Sequence, residues 1–173
     1  MDIILVNERD EPLGTMGKME AHQQALLHRA FSVFIFNEKN EMLLQKRSAD
    51  KYHSPGLWTN ACCSHPKPGE SMSKAAEKRL HEEMGIKANI KRAFDFIYKA
   101  SFENGLTEYE FDHVFIGYYN GPILPEKTEV SDYCFLSMDN ILKFIESHPQ
   151  HFTVWFKIAF PKVEEYLVSL SVK

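Results

Sequence analysis

Residues 64–86 read SHPKPGESMSKAAEKRLHEEMGI, a polar loop that runs into a segment with helical periodicity. Apolar side chains recur every three or four positions in its second half, which predicts a helix over residues 71–84 with one buried face. Gly85 follows at the position where a left-handed residue commonly ends a helix. We therefore expect one central helix, around which the rest of the fold forms.

Runs rich in Val, Ile and Phe lie on both sides of this helix and predict strands. The predicted strands cover residues 3–6, 29–36, 41–46, 91–99, 108–118 and 132–136. Helical segments are predicted at residues 139–147, 152–160 and 162–170, with Pro161 between the last two. Strands mixed with a central helix and late helices predict an α/β or α+β fold, with helices packed on the sheet faces.

Length and composition restrict the class of protein. A chain of 173 residues is expected to form a single domain. Its net charge of −4 argues against a nucleic-acid-binding protein. It has no apolar run near the ~20 residues of a membrane span, and the start MDIIL lacks the positive region of a signal peptide. Three cysteines, two of them adjacent, do not suggest a disulfide framework, so we expect a reduced cytoplasmic protein. No exposed apolar seam is evident, so we expect a monomer.

Two pairs of polar residues are the strongest indication of a chemical function in this sequence. Cys63 and His65 form one pair, and Glu108 and Glu110 form the other. Residues two apart in an extended segment point to the same side, so both pairs can face one cavity. A thiol, an imidazole and two carboxylates suit proton transfer and metal binding better than they suit a core.

Each of these residues also has a simpler explanation. Glu108, Glu110 and Asp112 share one strand face, and a solvated acidic face is common in such sheets. Three neighbouring carboxylates nevertheless repel one another unless water or a cation relieves them. Cys63 alone is most often a small buried apolar residue, although Cys62 is the better candidate for that position. A thiol beside a cation would instead have a lowered pKa and act as a base or nucleophile.

Ring side chains offer further candidate ligands and cavity walls. His22 and His28 are six residues apart, which is not a same-face helical spacing, so they converge only through a loop. Together with His65 they provide three imidazoles, which suit Zn, Mn or Fe, although each alone is more often a surface residue. Trp58 and Trp155 either pack in the core or offer a ring face to a cation.

Charged residues cluster near the central helix. Arg47 and Lys51 lie close together in sequence, in or beside a loop predicted over residues 48–58, and Arg79 lies on the helix. Most such residues are solvated, but guanidinium groups also match phosphate oxygens and would fit a diphosphate. Glu82 and Glu83 end the helix, where they either pair with basic residues one turn earlier or hold a second cation.

The chain resembles a known family in several segments. LHRAFS at residues 27–32, WTN at 58–60, CSHP at 63–66 and EYE at 108–110 are together similar to type I isopentenyl-diphosphate delta-isomerase, a branch of the Nudix superfamily. The combination is specific, although no single segment is. The resemblance implies a Nudix-type fold of mixed β-sheets sandwiched by helices. Its expected parts are a core at 28–137, an N-terminal extension with additional strands at 1–27 and a C-terminal helical cap at 138–173.

The general Nudix motif can be laid on residues 64–86, but three positions depart from it. The residues that fall on the pattern are Glu70, Leu80, Glu82, Glu83, Gly85 and Ile86. Ser64 replaces its first glycine, Lys78 its arginine and Arg79 its first core glutamate. Nudix hydrolases use the carboxylate cluster to hold several metals around a diphosphate. The loss of this first core glutamate therefore favours an isomerase, since isomerases of this family carry a motif with similar departures.

The resemblance implies two metal sites. One divalent cation, Zn²⁺ or Mn²⁺, would be bound by five side chains: His22, His28, His65, Glu108 and Glu110. Glu83 would help to bind Mg²⁺, which bridges to the substrate diphosphate.

The resemblance also implies the residues that act on the substrate. The diphosphate would be held by four cationic side chains: Lys18, Arg47, Lys51 and Arg79. Cys63 and Glu110 would be the catalytic pair, Tyr98 would help in proton delivery, and Trp155 would face the developing cation.

The implied activity interconverts isopentenyl diphosphate and dimethylallyl diphosphate, small-molecule substrates of isoprenoid biosynthesis. Protonation of the alkene gives a tertiary carbocation, and loss of a neighbouring proton moves the double bond. We expect Glu110 to give the first proton and a Cys63 thiolate to remove the second; the reverse assignment stays open. The alternatives are a Nudix pyrophosphohydrolase of a nucleoside diphosphate derivative and a non-catalytic metal- or nucleotide-binding module.

Overall fold

A computed structural model describes residues 1–172, so Lys173 of the expected C-terminal cap lies outside them. Within this range nine strands form one mixed sheet, and four α-helices accompany it. Strands β1 to β9 cover Asp2–Val6, Pro12–Gly17, His28–Phe36, Met42–Arg47, Trp58–Thr59, Cys62–Ser64, Ile90–Ser101, Thr107–Tyr118 and Val130–Leu136. Helices α1 to α4 cover Lys18–Gln23, Met72–Met84, Met138–Ser147 and Val154–Ser171, with a 3₁₀ turn at Pro149–His151.

Strand β3 is the centre of the sheet. Strand β8 lies parallel to it along its whole length, with His28 opposite Glu110, and β7 continues the sheet beyond β8. The other edge of β3 pairs with β1, β6 and β4 in turn. The β6 register places Cys63 opposite Ser32. The sheet therefore brings residues that are far apart in the sequence to neighbouring positions.

Helices cover both faces of the sheet. Val33 and Ile35 of β3 join an apolar cluster with α2. Phe34 and Phe36, which alternate with them, join a second cluster with α3 and α4. Successive side chains of a strand point to opposite faces, so β3 is apolar on both sides because both sides are covered. This arrangement confirms the predicted fold class.

Helix α4 differs from the prediction of two helices separated by Pro161. A single helix runs through Val154–Ser171 with the proline inside it. Proline removes one backbone hydrogen bond and normally kinks or ends a helix. Here Phe156, Phe160 and Val163, on both sides of the proline, are buried in the same apolar cluster. Packing offsets the lost hydrogen bond, so the prediction of two helices was wrong.

Near the N-terminus, helix α1 was not predicted, and β2 was expected only as an additional strand of the extension, without bounds. Strand β2 is largely exposed and depends on antiparallel pairing with β1. Helix α1 has six residues, too few to be stable without tertiary packing. Such short elements carry little periodic signal in the sequence. In the described part of the chain, no helix has the length and apolar character needed to cross a bilayer.

Gly85 ends α2 in the left-handed conformation, with φ 68° and ψ 15°. A Cβ built there would lie 2.7 Å from both Cβ and O of Leu124. We expect Gly85→Ala to lower the free energy of unfolding by about 2 kcal/mol or more, because left-handed strain adds to this clash. Urea denaturation measures the change. Gly17→Ala is the matched control, since Gly17 has φ −58° and open space around its Cβ; an equal loss in both variants would contradict the explanation.

Candidate active site

A cavity opens beside the centre of the sheet. Of the residues predicted for the site, all but His22 and His28 line it. Those lining residues are Lys18, Arg47, Lys51, Cys63, His65, Arg79, Glu83, Tyr98, Glu108, Glu110 and Trp155. The structure therefore brings the predicted thiol, carboxylates and cations to one place.

His22, His28, His65 and Glu110 form a buried cluster. Each offers one ligand atom, and these atoms all lie within 4.8 Å of one another. The ring centroids of His28 lie 5.1 Å from His22 and 5.0 Å from His65. This confirms that the imidazoles converge through a loop: α1 ends near His22, Ala25 turns the chain at φ 53°, and His28 begins β3.

The cluster fits a divalent cation. His28 Nδ1 lies 2.8 Å from the Leu26 carbonyl, which can only accept, so Nδ1 donates and Nε2 presents its lone pair. That Nε2, both ring nitrogens of His22 and Nδ1 of His65 are buried without a hydrogen-bond partner among the described residues. Buried polar atoms are rarely left unpaired, and three imidazoles with one carboxylate are a ligand set that suits Zn²⁺ or Mn²⁺.

The electrostatics of the cluster favour neutral forms of His22 and His65 and an ionised Glu110. Burial, followed by the charges of His28 and His65, lowers the pKa of His22 to about 3. Burial also lowers the pKa of His65 to about 4, against the effect of Glu110. Although burial alone would raise the Glu110 pKa, His28 and His65 hold it well below its usual range. Neutral imidazoles and a carboxylate are the forms that bind a metal.

Glu108 lies outside this four-residue cluster and contacts Tyr98 instead. Tyr98 Oη lies 2.9 Å from Glu108 Oε2 and 2.6 Å from Glu110 Oε2. A phenol has one hydrogen and can donate to one carboxylate at a time. Burial, followed by the charge of Glu110, raises the pKa of Glu108 to about 8. A protonated Glu108 can donate to the Tyr98 oxygen while Tyr98 donates to Glu110, so the three groups can form one continuous hydrogen-bonded chain.

The acidic face of β8 is not solvated, contrary to the simplest interpretation of its pattern. Glu108, Glu110 and Asp112 are all buried, and so are Phe111 and His113 on the opposite face. On one face Glu108 and Glu110 line the cavity, and on the other Phe111 packs in an apolar cluster with residues of β1. An alternating pattern cannot separate a solvated polar face from a buried polar cavity.

Cys63 lies in a hydrogen-bonded setting. Its Sγ is 3.3 Å from Ser32 Oγ, and it donates to Asn60 Oδ1 at 3.3 Å. Ser32 Oγ also lies 2.7 Å from Asp112 Oδ2. Burial and the nearby Asp112 raise the pKa of the Cys63 thiol. The expected lowering of this pKa therefore does not come from the protein groups around the sulfur, which favour the neutral thiol. Cys62 is fully buried in the apolar core, as predicted.

Four cations surround the mouth of the cavity. Arg79 Nη2 lies 2.8 Å from Glu83 Oε1 and 3.1 Å from Glu129 Oε2. Lys51 also pairs with Glu129, and Lys18 lies over a tyrosine ring on the cavity wall. Glu83, near the end of α2, thus pairs with a basic residue one turn earlier, which is the simpler alternative to binding a second cation.

Trp155 is 4% exposed and forms a wall of the cavity. The Arg47 guanidinium carbon lies 5.2 Å from its ring centroid, within the range of a cation–π contact. The ring face is thus directed to a position where a positive charge is stabilised.

Sequence reasoning missed several residues of the site. His53 lines the cavity, with Nε2 3.4 Å from Glu108 Oε1 and its ring 5.6 Å from Trp155. Gln45 donates to Glu83 at 3.0 Å. His53 lies in a segment treated only as a loop, and Gln45 lies inside a predicted strand. The one sequence feature that could have identified His53 as a site residue was its position in a loop beside the cations Arg47 and Lys51.

Comparisons with known proteins agree with this geometry. Residues 26–156 match the family model described as NUDIX domain. Isopentenyl-diphosphate Delta-isomerase 2 of Photorhabdus laumondii is 46% identical over 169 residues, which cover 95% of this chain and 96% of that protein. The isopentenyl-diphosphate Delta-isomerase of Pectobacterium atrosepticum is 43% identical, covering 95% of this chain and 92% of that protein. The chain belongs to the isopentenyl-diphosphate delta-isomerase family.

Solved structures show that this isomerase family member has the Nudix fold. A Deinococcus radiodurans protein aligns with a TM-score of 0.71 and 18% identity, over 86% of this chain and 90% of that one. A MutT protein from Methanosarcina mazei aligns with a TM-score of 0.67 and 21% identity, over 80% and 94%. These likenesses confirm the fold predicted from the resemblance.

The buried histidines predict how the stability of the metal-free isomerase depends on pH. The folded pKa values of His22 and His65 lie below the ordinary 6.5, so the unfolded chain binds more protons between pH 6.5 and about 4. Stability therefore falls as pH decreases through this window, by up to roughly 1.4 kcal/mol per pH unit for each histidine. Thermal unfolding of chelator-treated protein at several pH values measures the slope.

A matched pair of variants tests the cause of this slope. His22→Asn should make the pH dependence shallower, whereas His81→Gln, at an exposed position on α2, should leave it unchanged. Equal slopes in wild type and His22→Asn would show that the buried imidazole is not responsible.

Proposed function

We propose that the cavity interconverts isopentenyl diphosphate and dimethylallyl diphosphate by moving one carbon–carbon double bond, and that this is the function of the protein. The single observation that carries this proposal is that Cys63 and Glu110 line one cavity with a cluster of cations. The two relatives quoted above are named as isomerases of this kind over almost their whole length. The protein is an isomerase.

The diphosphate group is assigned to the cationic side of the cavity. Lys18, Arg47, Lys51 and Arg79 all line it. Guanidinium groups present paired donors that match phosphate oxygens, so they fix the orientation as well as the position of the substrate. Binding energy from this remote group positions the reacting carbons.

The proton transfers are assigned to Cys63 Sγ and the Glu110 carboxyl group. One group gives a proton to the terminal alkene carbon, which leaves a tertiary carbocation on the neighbouring carbon. The other removes a proton from the adjacent methylene, so that the double bond moves and no net proton is gained. Because the reaction is reversible, each group donates in one direction and accepts in the other. The choice of Glu110 as the donor towards dimethylallyl diphosphate stays a prediction, and the lowered pKa of Glu110 and the raised pKa of the Cys63 thiol favour the reverse assignment.

Tyr98 and Trp155 support these steps. Tyr98 Oη lies 2.6 Å from Glu110 Oε2 and can return a proton to it or take one away. Trp155 offers its ring face to the carbocation, as it does to Arg47. Water would trap the cation as an alcohol, and the aromatic wall formed by Trp155 and His53 helps to exclude it.

The metal assignments follow from the donor sets. His22, His28, His65 and Glu110 would hold one Zn²⁺ or Mn²⁺, with Glu108 nearby as a further ligand. Glu83 would help to hold Mg²⁺ at the diphosphate. When bound, these cations keep the Glu110 carboxylate ionised and fixed, and they offset the charge of the diphosphate.

Nudix hydrolysis fits the site less well. Arg79 occupies the position of a glutamate in the Nudix motif, and its guanidinium pairs with Glu83 at 2.8 Å. With a cation in place of that glutamate, the carboxylate cluster that a hydrolase uses to collect several metals lacks one member. We further propose that residues 28–137 are the core of a single domain, between the additions at 1–27 and 138–173. We also propose that the protein acts as a monomer in the cytoplasm.

Proton exchange is the direct test of this function. Isopentenyl diphosphate is incubated with the protein, Mg²⁺ and either Zn²⁺ or Mn²⁺ in deuterated water, and the products are followed by NMR. We expect deuterium in the methyl groups of dimethylallyl diphosphate and no release of phosphate. Phosphate release from a panel of nucleoside diphosphate derivatives, with no exchange into the alkene, would favour the hydrolase instead. Absence of both reactions would favour a binding module.

A further inference from the structure

A second pocket lies at the N-terminal end of α2, away from the active site. No residue lines both this pocket and the cavity around Cys63. None of the roles assigned above involves it. The groups that surround it are mostly hydrogen-bond donors and positive charges.

The start of α2 supplies backbone donors to this pocket. Ser71 precedes the helix, its side chain makes no capping hydrogen bond, and the first turn contains no acidic residue. The first hydrogen bond of the helix runs from Ala75 N to Ser71 O, so the N–H groups of residues 72–74 have no partner within the helix. Ser71 and Ser73 line the pocket with their hydroxyl groups nearby. The helix dipole adds partial positive charge at this end.

Two arginines add full positive charge. Arg29 Nε donates to Asp10 Oδ1 at 2.7 Å, and its Nη2 donates to the Asp10 carbonyl at 2.7 Å. Its Nη1 has no hydrogen bond to any described residue and remains available. Arg92 also lines the pocket and pairs with Asp95, which does not line it. Asp10 is the one carboxylate among the described lining residues, and Arg29 neutralises it.

His113 provides an independent indication of a ligand. It lines the pocket, is 3% exposed and has no hydrogen-bond partner for either ring nitrogen among the described residues. Its Nε2 lies 3.0 Å from Asp10 Oδ2, which is an ion-pair distance without the alignment of a hydrogen bond. The other ring nitrogen, Nδ1, has neither a hydrogen-bond nor an ion-pair partner among the described residues. A buried imidazole of this kind requires a further polar partner.

We propose that this pocket binds a phosphate group, either inorganic phosphate or the phosphate of a small phosphomonoester. Free N–H groups at a helix start and a guanidinium fork are the two features that proteins combine to hold such oxyanions. The Ser71 and Ser73 hydroxyls and the His113 ring supply the remaining polar contacts. The proposal does not depend on the isomerase assignment, because the two sites share no residue.

Site-resolved NMR tests the proposal on the full chain. Inorganic phosphate and glycerol phosphate are titrated against ¹⁵N-labelled protein, with sodium chloride at equal ionic strength as the reference. We expect saturable shifts of the amide signals of residues 72–74 with phosphate and none with chloride. The amides of residues 47, 51 and 79 report separately on anions that enter the active site. If both compounds bind equally well, the ligand is inorganic phosphate. If glycerol phosphate binds more tightly, the ligand is a phosphomonoester. Either result supports a phosphate site at the start of α2.

Three variants make the test decisive. Arg92→Gln should weaken phosphate binding at residues 72–74 by about tenfold, because one charged hydrogen bond is lost. Ser73→Asp should abolish it, because its carboxylate takes the place of the anion at the helix start. Arg9→Gln is the matched control, an exposed arginine paired with Glu11 outside the pocket, and should bind as wild type. Absence of a saturable shift in the wild type, or unchanged binding in both Arg92→Gln and Ser73→Asp, overturns the proposal.

Discussion

Cys63→Ala is expected to reduce kcat for isopentenyl diphosphate by at least about 10³-fold, the range typical of a lost acid–base group. The thiol lines the same cavity as the four cations proposed to bind the diphosphate, and a methyl group cannot transfer a proton. The KM should change little, because those cations are untouched. Initial rates with radiolabelled substrate measure both constants.

A second thiol provides the control for this prediction. Cys134 lies on β9, half-buried and outside the cavity, so Cys134→Ala should retain turnover close to that of the wild type. The loss in Cys63→Ala is then specific to one sulfur. Turnover of Cys63→Ala within about threefold of the wild type would remove this residue from the mechanism, since general acid–base groups contribute far more than that.

Glu110→Gln is expected to have two separable effects, loss of turnover by about 10⁴-fold and loss of the divalent cation. The carboxylate is both a member of the buried histidine cluster and the hydrogen-bond partner of Tyr98. The amide keeps the shape but has no charge, so it neither binds a cation well nor transfers a proton. Elemental analysis after dialysis measures the metal content, and the isomerase assay measures the rate.

Comparison with a neighbouring glutamate separates the two effects. Glu108 lies outside the four-residue cluster, so Glu108→Gln should retain more of the cation than Glu110→Gln does. Glu103→Gln, at an exposed position between β7 and β8, should behave as wild type. A Glu110→Gln protein with full metal content and near-normal turnover would contradict both assigned roles.

The central helix and the main strands were predictable because their signals are local. The periodicity of residues 71–84 and the left-handed Gly85 appear in the structure within one residue of the predicted bounds. A run rich in Phe, Val and Ile likewise predicted β3, and the alternation over residues 108–118 predicted β8. By contrast, the continuous helix through Pro161 was not predictable, because the contacts that offset the lost hydrogen bond come from distant strands.

The chemistry of the site was predictable only in part. The residue types and the family resemblance pointed to one cavity that contains Cys63 and Glu110, and both residues line it. The neutral thiol of Cys63 was not predictable, since it results from burial and from Asp112, which is close only in the folded chain. His53 was missed for the same reason, because a loop residue gains its role from the cavity it happens to border.

The amino-acid sequence alone determined the helix, the strand faces and the set of groups that can carry out proton transfer. These features depend on spacings of two to four residues, which the backbone geometry of a helix or strand fixes directly. Only the tertiary structure decided which of those groups meet and in what charge state. The parallel pairing of β3 with β8 sets His28 beside Glu110. Burial lowers the pKa of His22 and His65, whereas the contacts with His28 and His65 hold the pKa of Glu110 well below its usual range.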